Sequence, residues 1–177
     1  MPTEKANPAD FIVVPQIDVK HMQVTIIGDS PLMSHAWDEK VMRQIEDKQK
    51  AAGGLQPTKA KKNREARDPH AEYIAAMYFT PEGKPGIPAV AFKSAMVSAC
   101  RDLADMKMTE ARGRFHIEGE LIEIIGEHEM DTRMVRVGMG SADVRYRPIW
   151  REWQAVLNIA YNASVISPAL IINFLNV

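Results

Sequence analysis

The chain has 177 residues, of which 46% are hydrophobic and 25% charged, and its formal net charge at pH 7 is −1. That length falls within the range of one domain and is enough to bury a core without disulfide or metal staples. The single cysteine, Cys100, excludes an internal disulfide, and no stretch reaches the roughly 18 apolar residues a membrane-spanning helix needs.

The opening residues MPTEKANPAD are polar and lack the apolar segment of a signal peptide. Residues 1–15 are read as a flexible arm, and the protein is expected in the cytoplasm. Met22 to Gly28 is apolar and rich in β-formers, which predicts a strand, and Gly28-Asp29-Ser30-Pro31 closes it as a turn. Residues 38–52 predict a helix with Asp38 as N-cap. Its apolar positions Val41, Met42 and Ile45 form only a thin stripe, so it is either solvated or packed on a partner.

Gly53-Gly54 opens a basic, nearly apolar-free segment bounded by Pro57 and Pro69, read as a loop that orders on an anion. Residues 70–79 read as a short helix or a helix-to-strand transition, followed by a turn over 81–86. The strongest helix follows Pro88: Phe92, Ala95, Met96, Ala99, Cys100, Leu103 and Met106 recur at three and four. Cys100 on that stripe reads as a small buried hydrophobe.

Residues 115–126 predict a strand with Gly119 as a bulge. Residues 132–138 and 144–149 alternate as strands, the latter with Arg145 and Arg147 on one side and Val144 and Tyr146 on the other. A further strand is expected from Trp153 to Ala160. Ser167 and Pro168 then suit the N-cap and first position of a helix. That helix runs to Val177 without a terminator, from which a missing C-terminal segment is expected. Strand, long insertion, helix, strands, helix is a split βαβ order. The expected fold is α+β: a single ferredoxin-like or RNA-recognition-like domain over 1–177, lacking its last strand, with a long, basic insertion after the first strand.

The near-zero net charge hides a local imbalance. Residues 40–67 carry nine Lys/Arg against three Asp/Glu, and residues 131–151 carry five Arg against two Asp. The local field is what an anionic partner meets. Lys59, Lys61, Lys62, Arg64 and Arg67 could follow a phosphate backbone. Arg133, Arg136, Arg145, Arg147 and Arg151 offer phosphate-binding guanidiniums interleaved with Tyr146, Trp150 and Trp153. Aromatic faces stack on unpaired bases; the alternative is that Trp150 and Trp153 belong to the core.

Other chemistries find less support. His21, His35, His70, His116 and His128 are dispersed, which argues against a metal site. Gly138-Met139-Gly140 does not precede a helix, so it is no phosphate loop. Ser30 and Ser34 flank a turn but lack an elbow motif. Asp29 and His35 could do acid–base work, or Asp29 could close the turn while His35 packs with Trp37. No cofactor is expected.

Gly86-Ile87-Pro88-Ala89-Val90-Ala91-Phe92-Lys93-Ser94-Ala95 resembles the IPGSSLKGALR signature of the RAMP superfamily, the backbone subunits of CRISPR effector complexes. Lys93 and Ala95 match the motif; Ala89-Val90-Ala91 replaces its Gly-Ser-Ser, and Arg101 lies a few residues later than its arginine. Thr25 to Met33 is similar to the family's opening strand and SPL turn, and Asn158 to Leu175 to its last strand and helix. A glycine-rich C-terminal segment usual in the family is missing. The chain also looks like phage-encoded proteins found among recombination functions, which would place it in a bacterial host's cytoplasm.

The resemblance implies a homo-oligomer, filament or ring, on single-stranded RNA or DNA, and makes the 38–85 insertion a thumb or finger that contacts nucleic acid or the next subunit. It makes Lys93 and Arg101 phosphate contacts beside the basic residues named above, with Trp37, Tyr146 or Trp150 stacking on bases. The expectation is a binding protein and not an enzyme. The rivals are a phage or assembly structural protein that oligomerises without nucleic acid, and a RAMP-type ribonuclease using His35 or Asp29.

Overall fold

The computed structural model describes residues 16–36, 39–50, 67–103, 106–137 and 141–176. Within them lie nine strands and five helices, arranged as three antiparallel three-stranded sheets. The architecture is mixed α+β.

The first sheet pairs β1 (Val19–Ile27) and β5 (Phe115–Ile117) on either side of β9 (Gln154–Asn162), both antiparallel to it. Alternation along β9 buries Ala155, Leu157, Ile159 and Tyr161. Opposite them in register stand Met22, Val24 and Ile26 of β1 and Phe115 and Ile117 of β5. Residues paired across strands share a face, so these side chains form one apolar surface.

Two helices pack with that surface in one contiguous core. From α3 (Ala89–Leu103) come Met96, Val97 and Cys100; from α5 (Pro168–Leu175) come Ile171 and Phe174. Cys100 is fully buried, as its place on the apolar stripe predicts. Ser167 accepts from the Leu170 amide and Pro168 opens α5, which satisfies the expected cap, an interaction contributing about 1 kcal/mol.

The second sheet joins β2 (Leu32–Met33), β8 (Ser141–Trp150) and β7 (His128–Val137). The third joins β3 (Tyr78–Phe79), β4 (Pro85–Pro88) and β6 (Leu121–Glu123). Helix α2 (Pro69–Ala75), capped by Asp68, leads into β3, a helix-to-strand transition of the kind expected for 70–79. Helix α1 (Glu39–Lys50) falls within the expected 38–52, and its cap candidate Asp38 lies outside the described residues.

Three expectations are corrected. Residues 115–126 are not one bulged strand: Gly119, at φ +92°, is a turn residue where the chain leaves the first sheet for the third. Helix α4 (Met108–Arg114) was not expected; it holds Ala111 in the core. The strands expected over 132–138 and 144–149 extend to ten residues each, because the hairpin continues pairing down to His128 and Trp150.

Candidate nucleic-acid interface

Strands β7 and β8 form a ribbon whose two faces differ in chemistry. Asp131 stands opposite Arg147, and Arg133 opposite Arg145, with Asp143 next along β8. Two arginines directly opposite each other repel, and each is offset by a neighbouring carboxylate. Arg133 Nε lies 3.0 Å from Asp131 Oδ2, and Arg145 Nη2 lies 3.0 Å from Asp143 Oδ2. Arg147 Nε is buried and has no hydrogen-bond partner among the described residues.

His35 follows β2 and shares this environment. Burial lowers its pKa first, and the charges of Arg147 and Arg145 lower it further. The imidazole is thus held neutral beside two guanidiniums. The face thus sets three guanidiniums beside two carboxylates, and the carboxylates are engaged by Arg133 and Arg145.

The opposite face of the ribbon turns inward at its base. There Trp150 is 0% exposed, its ring meeting His128 edge-on with centroids 5.4 Å apart. Tyr73 of α2 hydrogen-bonds His128 Nδ1 through its hydroxyl. Burial raises the Tyr73 pKa, so the phenol keeps its proton. Towards the hairpin tip the same face leaves Met130, Met134 and Val144 exposed.

Placement of the expected residues follows from this geometry. Arg133, Arg145 and Arg147 come together on one face. Arg136 alternates to the other and is exposed. Arg151 is exposed and bonds Glu129 at 2.5 Å. Lys93 and Arg101 lie on α3, away from the ribbon on the helix that packs with the first sheet. Lys59, Lys61, Lys62, Arg64 and Trp37 lie outside the described residues.

Two of the expected residues are engaged within the chain. Trp150 has no free face for a base, because the ribbon turns it into the core. Arg67 spends its donors inside the chain: on both Glu72 oxygens, on Asp143 Oδ1 at 2.5 Å and on the Val144 carbonyl at 2.9 Å. It straps α2 to β8, and its bond pulls the Asp143 pKa down. Tyr146 is half-buried against the core. Trp153, the other tryptophan weighed as core, is half-buried too, and its Nε1 donates to the Ser30 carbonyl at 2.9 Å.

Sequence reasoning weighed His35 as an acid–base residue or as packing with Trp37, and not as a neighbour of the arginines. Its alternation with Met33, which is opposite Ile149, was the available signal for its place beside β8.

Among the described residues no helix is long and apolar enough to cross a membrane, and no cluster of three His, Cys, Asp or Glu is placed to hold a metal ion. No protein-family model, curated protein or solved structure matches the chain.

Proposed function

We propose that this chain binds single-stranded nucleic acid as a repeated, self-associating subunit, and that the arginine face of β7 and β8 is where the phosphates lie. The observation that carries the reading is the buried Arg147 Nε–H, which has no acceptor among the described residues and shares its face with Arg133 and Arg145, beside the His35 imidazole whose pKa burial and then Arg147 and Arg145 lower. A phosphate oxygen would supply the acceptor, and its charge would offset the crowding of the guanidiniums.

The fold supports the same reading. Strands β1 and β5 run parallel to each other with β9 between them, α3 connects the first two, and α5 follows β9. This order supports the reading of a ferredoxin-like split βαβ core. On it, residues 28–88 are one insertion and residues 121–150, which carry the arginine face, are a second. The basic stretch from Lys59 to Arg64 would extend the phosphate track from the first insertion.

Fluorescence anisotropy with short labelled single strands of RNA and of DNA tests the proposal. Micromolar or tighter binding that weakens with added salt supports it, and the two arms separate RNA from DNA. Absence of binding at low salt overturns it.

A second reading, ribonuclease activity, is favoured by one observation: a neutral imidazole beside two arginines pairs a base with a phosphate holder. Comparing RNA cleavage by the wild type and His35→Ala decides it. Equal rates remove the enzyme reading and leave the binding one intact.

A further inference from the structure

The ribbon face that carries the arginines continues past the last of them. Two residues further along each strand, Glu129 stands opposite Ile149, on the same side as Asp131, Arg133, Arg145 and Arg147. Both line a cleft of about 660 Å³ between the base of the ribbon and the end of the first sheet. On the sheet side Ile27 and Ile125 flank Gln154, each paired with it and so on one face. Ile27 is 80% exposed and Ile125 42%. Trp153 lines the cleft as well, and its Nε1 donates to the Ser30 carbonyl at 2.9 Å. The indole is therefore fixed before anything binds, which lowers the entropy cost of stacking on it.

Carboxylates surround these apolar walls. Glu129 is taken by Arg151 at 2.5 Å. Glu127 and Glu152 are exposed, and neither side chain has a partner among the described residues. A carboxylate only accepts hydrogen bonds, through two adjacent oxygens. Guanine alone among the bases presents two adjacent donors on its Watson–Crick edge, N1–H and the N2 amino group, and so meets one carboxylate twice. Adenine and cytosine set an acceptor nitrogen beside their amino group, and uracil and thymine set a carbonyl on each side of N3–H. In each of those cases a carboxylate oxygen faces a lone pair. Apolar and aromatic walls suit the plane of a base. The charges are ordered to match: the carboxylates repel phosphate, and the first arginine row lies about 7 Å further along the same face. A basic peptide would suit the carboxylates, but those arginines would repel it.

We propose that the Ile27–Ile125–Trp153 cleft holds one unpaired guanine of the bound strand, with the Glu127 and Glu152 carboxylates as acceptors for its N1–H and N2 amino group and the neighbouring phosphates on the arginine rows. This rests on the strand-binding reading and adds base specificity to it. Phosphate contacts position a strand without reading its sequence, so the arginines supply affinity and the cleft supplies the preference.

Anisotropy titrations with short labelled oligouridylate and oligothymidylate strands test it, each strand either uniform or with one central guanine, hypoxanthine, adenine or cytosine. The wild type binds the guanine strand tighter than the uniform one by about tenfold or more, the discrimination of one bidentate pair. Hypoxanthine, which keeps N1–H and lacks the N2 amino group, gives a smaller preference, and adenine and cytosine give none. Glu127→Gln/Glu152→Gln removes two negative charges from an exposed surface, so every strand binds tighter, while the ratio of guanine to uniform strand falls to near one. Carboxylates that only repel the strand would raise all affinities and leave that ratio unchanged, which overturns the proposal. So does a wild type that binds all strands alike; the arginine face then stands as the phosphate site and only the cleft loses its role. Absence of binding to any strand removes both.

Discussion

Asp131 and Arg147 stand opposite each other across β7 and β8, yet Asp131 is paired with Arg133 at 3.0 Å, and the buried Nε of Arg147 has no acceptor among the described residues. A buried donor without a partner costs the fold about 1–3 kcal/mol, which the packing of the arginine's own stem offsets. Arg147→Met therefore leaves thermal stability within about 1 kcal/mol of the wild type, on either side. It weakens single-strand binding by roughly tenfold or more, the effect of losing a charge-assisted hydrogen bond. Thermal melts and anisotropy on the same samples separate the two effects.

His35 supplies a pH signature. Its free pKa lies below the ordinary 6.5, through burial and then Arg147 and Arg145. A bound phosphate favours the imidazolium and raises that pKa. Proton uptake then accompanies binding, so strand affinity rises as pH falls below about 6.5. His35→Gln flattens that rise. In the unbound protein the sign is opposite: the unfolded chain takes the proton first, so the fold loses stability over the same window. Affinity that does not change with pH, with wild type and variant alike, contradicts the placement of His35 at the interface.

The Tyr73 hydroxyl, bonded to His128, ties α2 to the ribbon. Tyr73→Phe leaves His128 Nδ1 without that partner and costs about 1 kcal/mol in urea denaturation. An unchanged midpoint would show that the bond contributes nothing net.

Gly28 lies under the indole of Trp153. A Cβ at position 28 would stand 2.1 Å from two of its ring atoms. Gly28→Ala forces the ring aside and breaks its bond to the Ser30 carbonyl, for a loss of about 1–3 kcal/mol. Trp153→Phe in the same background recovers part of it, because the smaller ring clears the methyl group.

The elements read most clearly in the sequence were those fixed by local chemistry. The 3.6-residue stripe of α3 placed Cys100 and Met96 in the core, and Ser167-Pro168 marked the start of α5. Alternation alone put Arg145 and Arg147 on one side of a strand. Long-range pairing was not legible. Nothing local marks Phe115–Ile117 and Leu121–Glu123 as members of different sheets, and the interleaving of Tyr146 and Trp150 with arginines looks the same whether the ring faces solvent or core. Arg67 counted as basic in the sequence, while Asp143, the carboxylate that engages it across the fold, lies 76 residues away. His35 gained its meaning only from the charges that β8 brings beside it.

The central claim is that the Arg133–Arg145–Arg147 face contacts phosphates, and the salt dependence of single-strand affinity tests it most directly. The plot of log affinity against log salt has a negative slope, with about 0.7 contributed by each phosphate contact on a single strand. For Arg145→Gln/Arg147→Gln the slope should become shallower by about 1.4, two such contacts, with the fold intact. A double variant that keeps the wild-type slope and affinity would contradict the account.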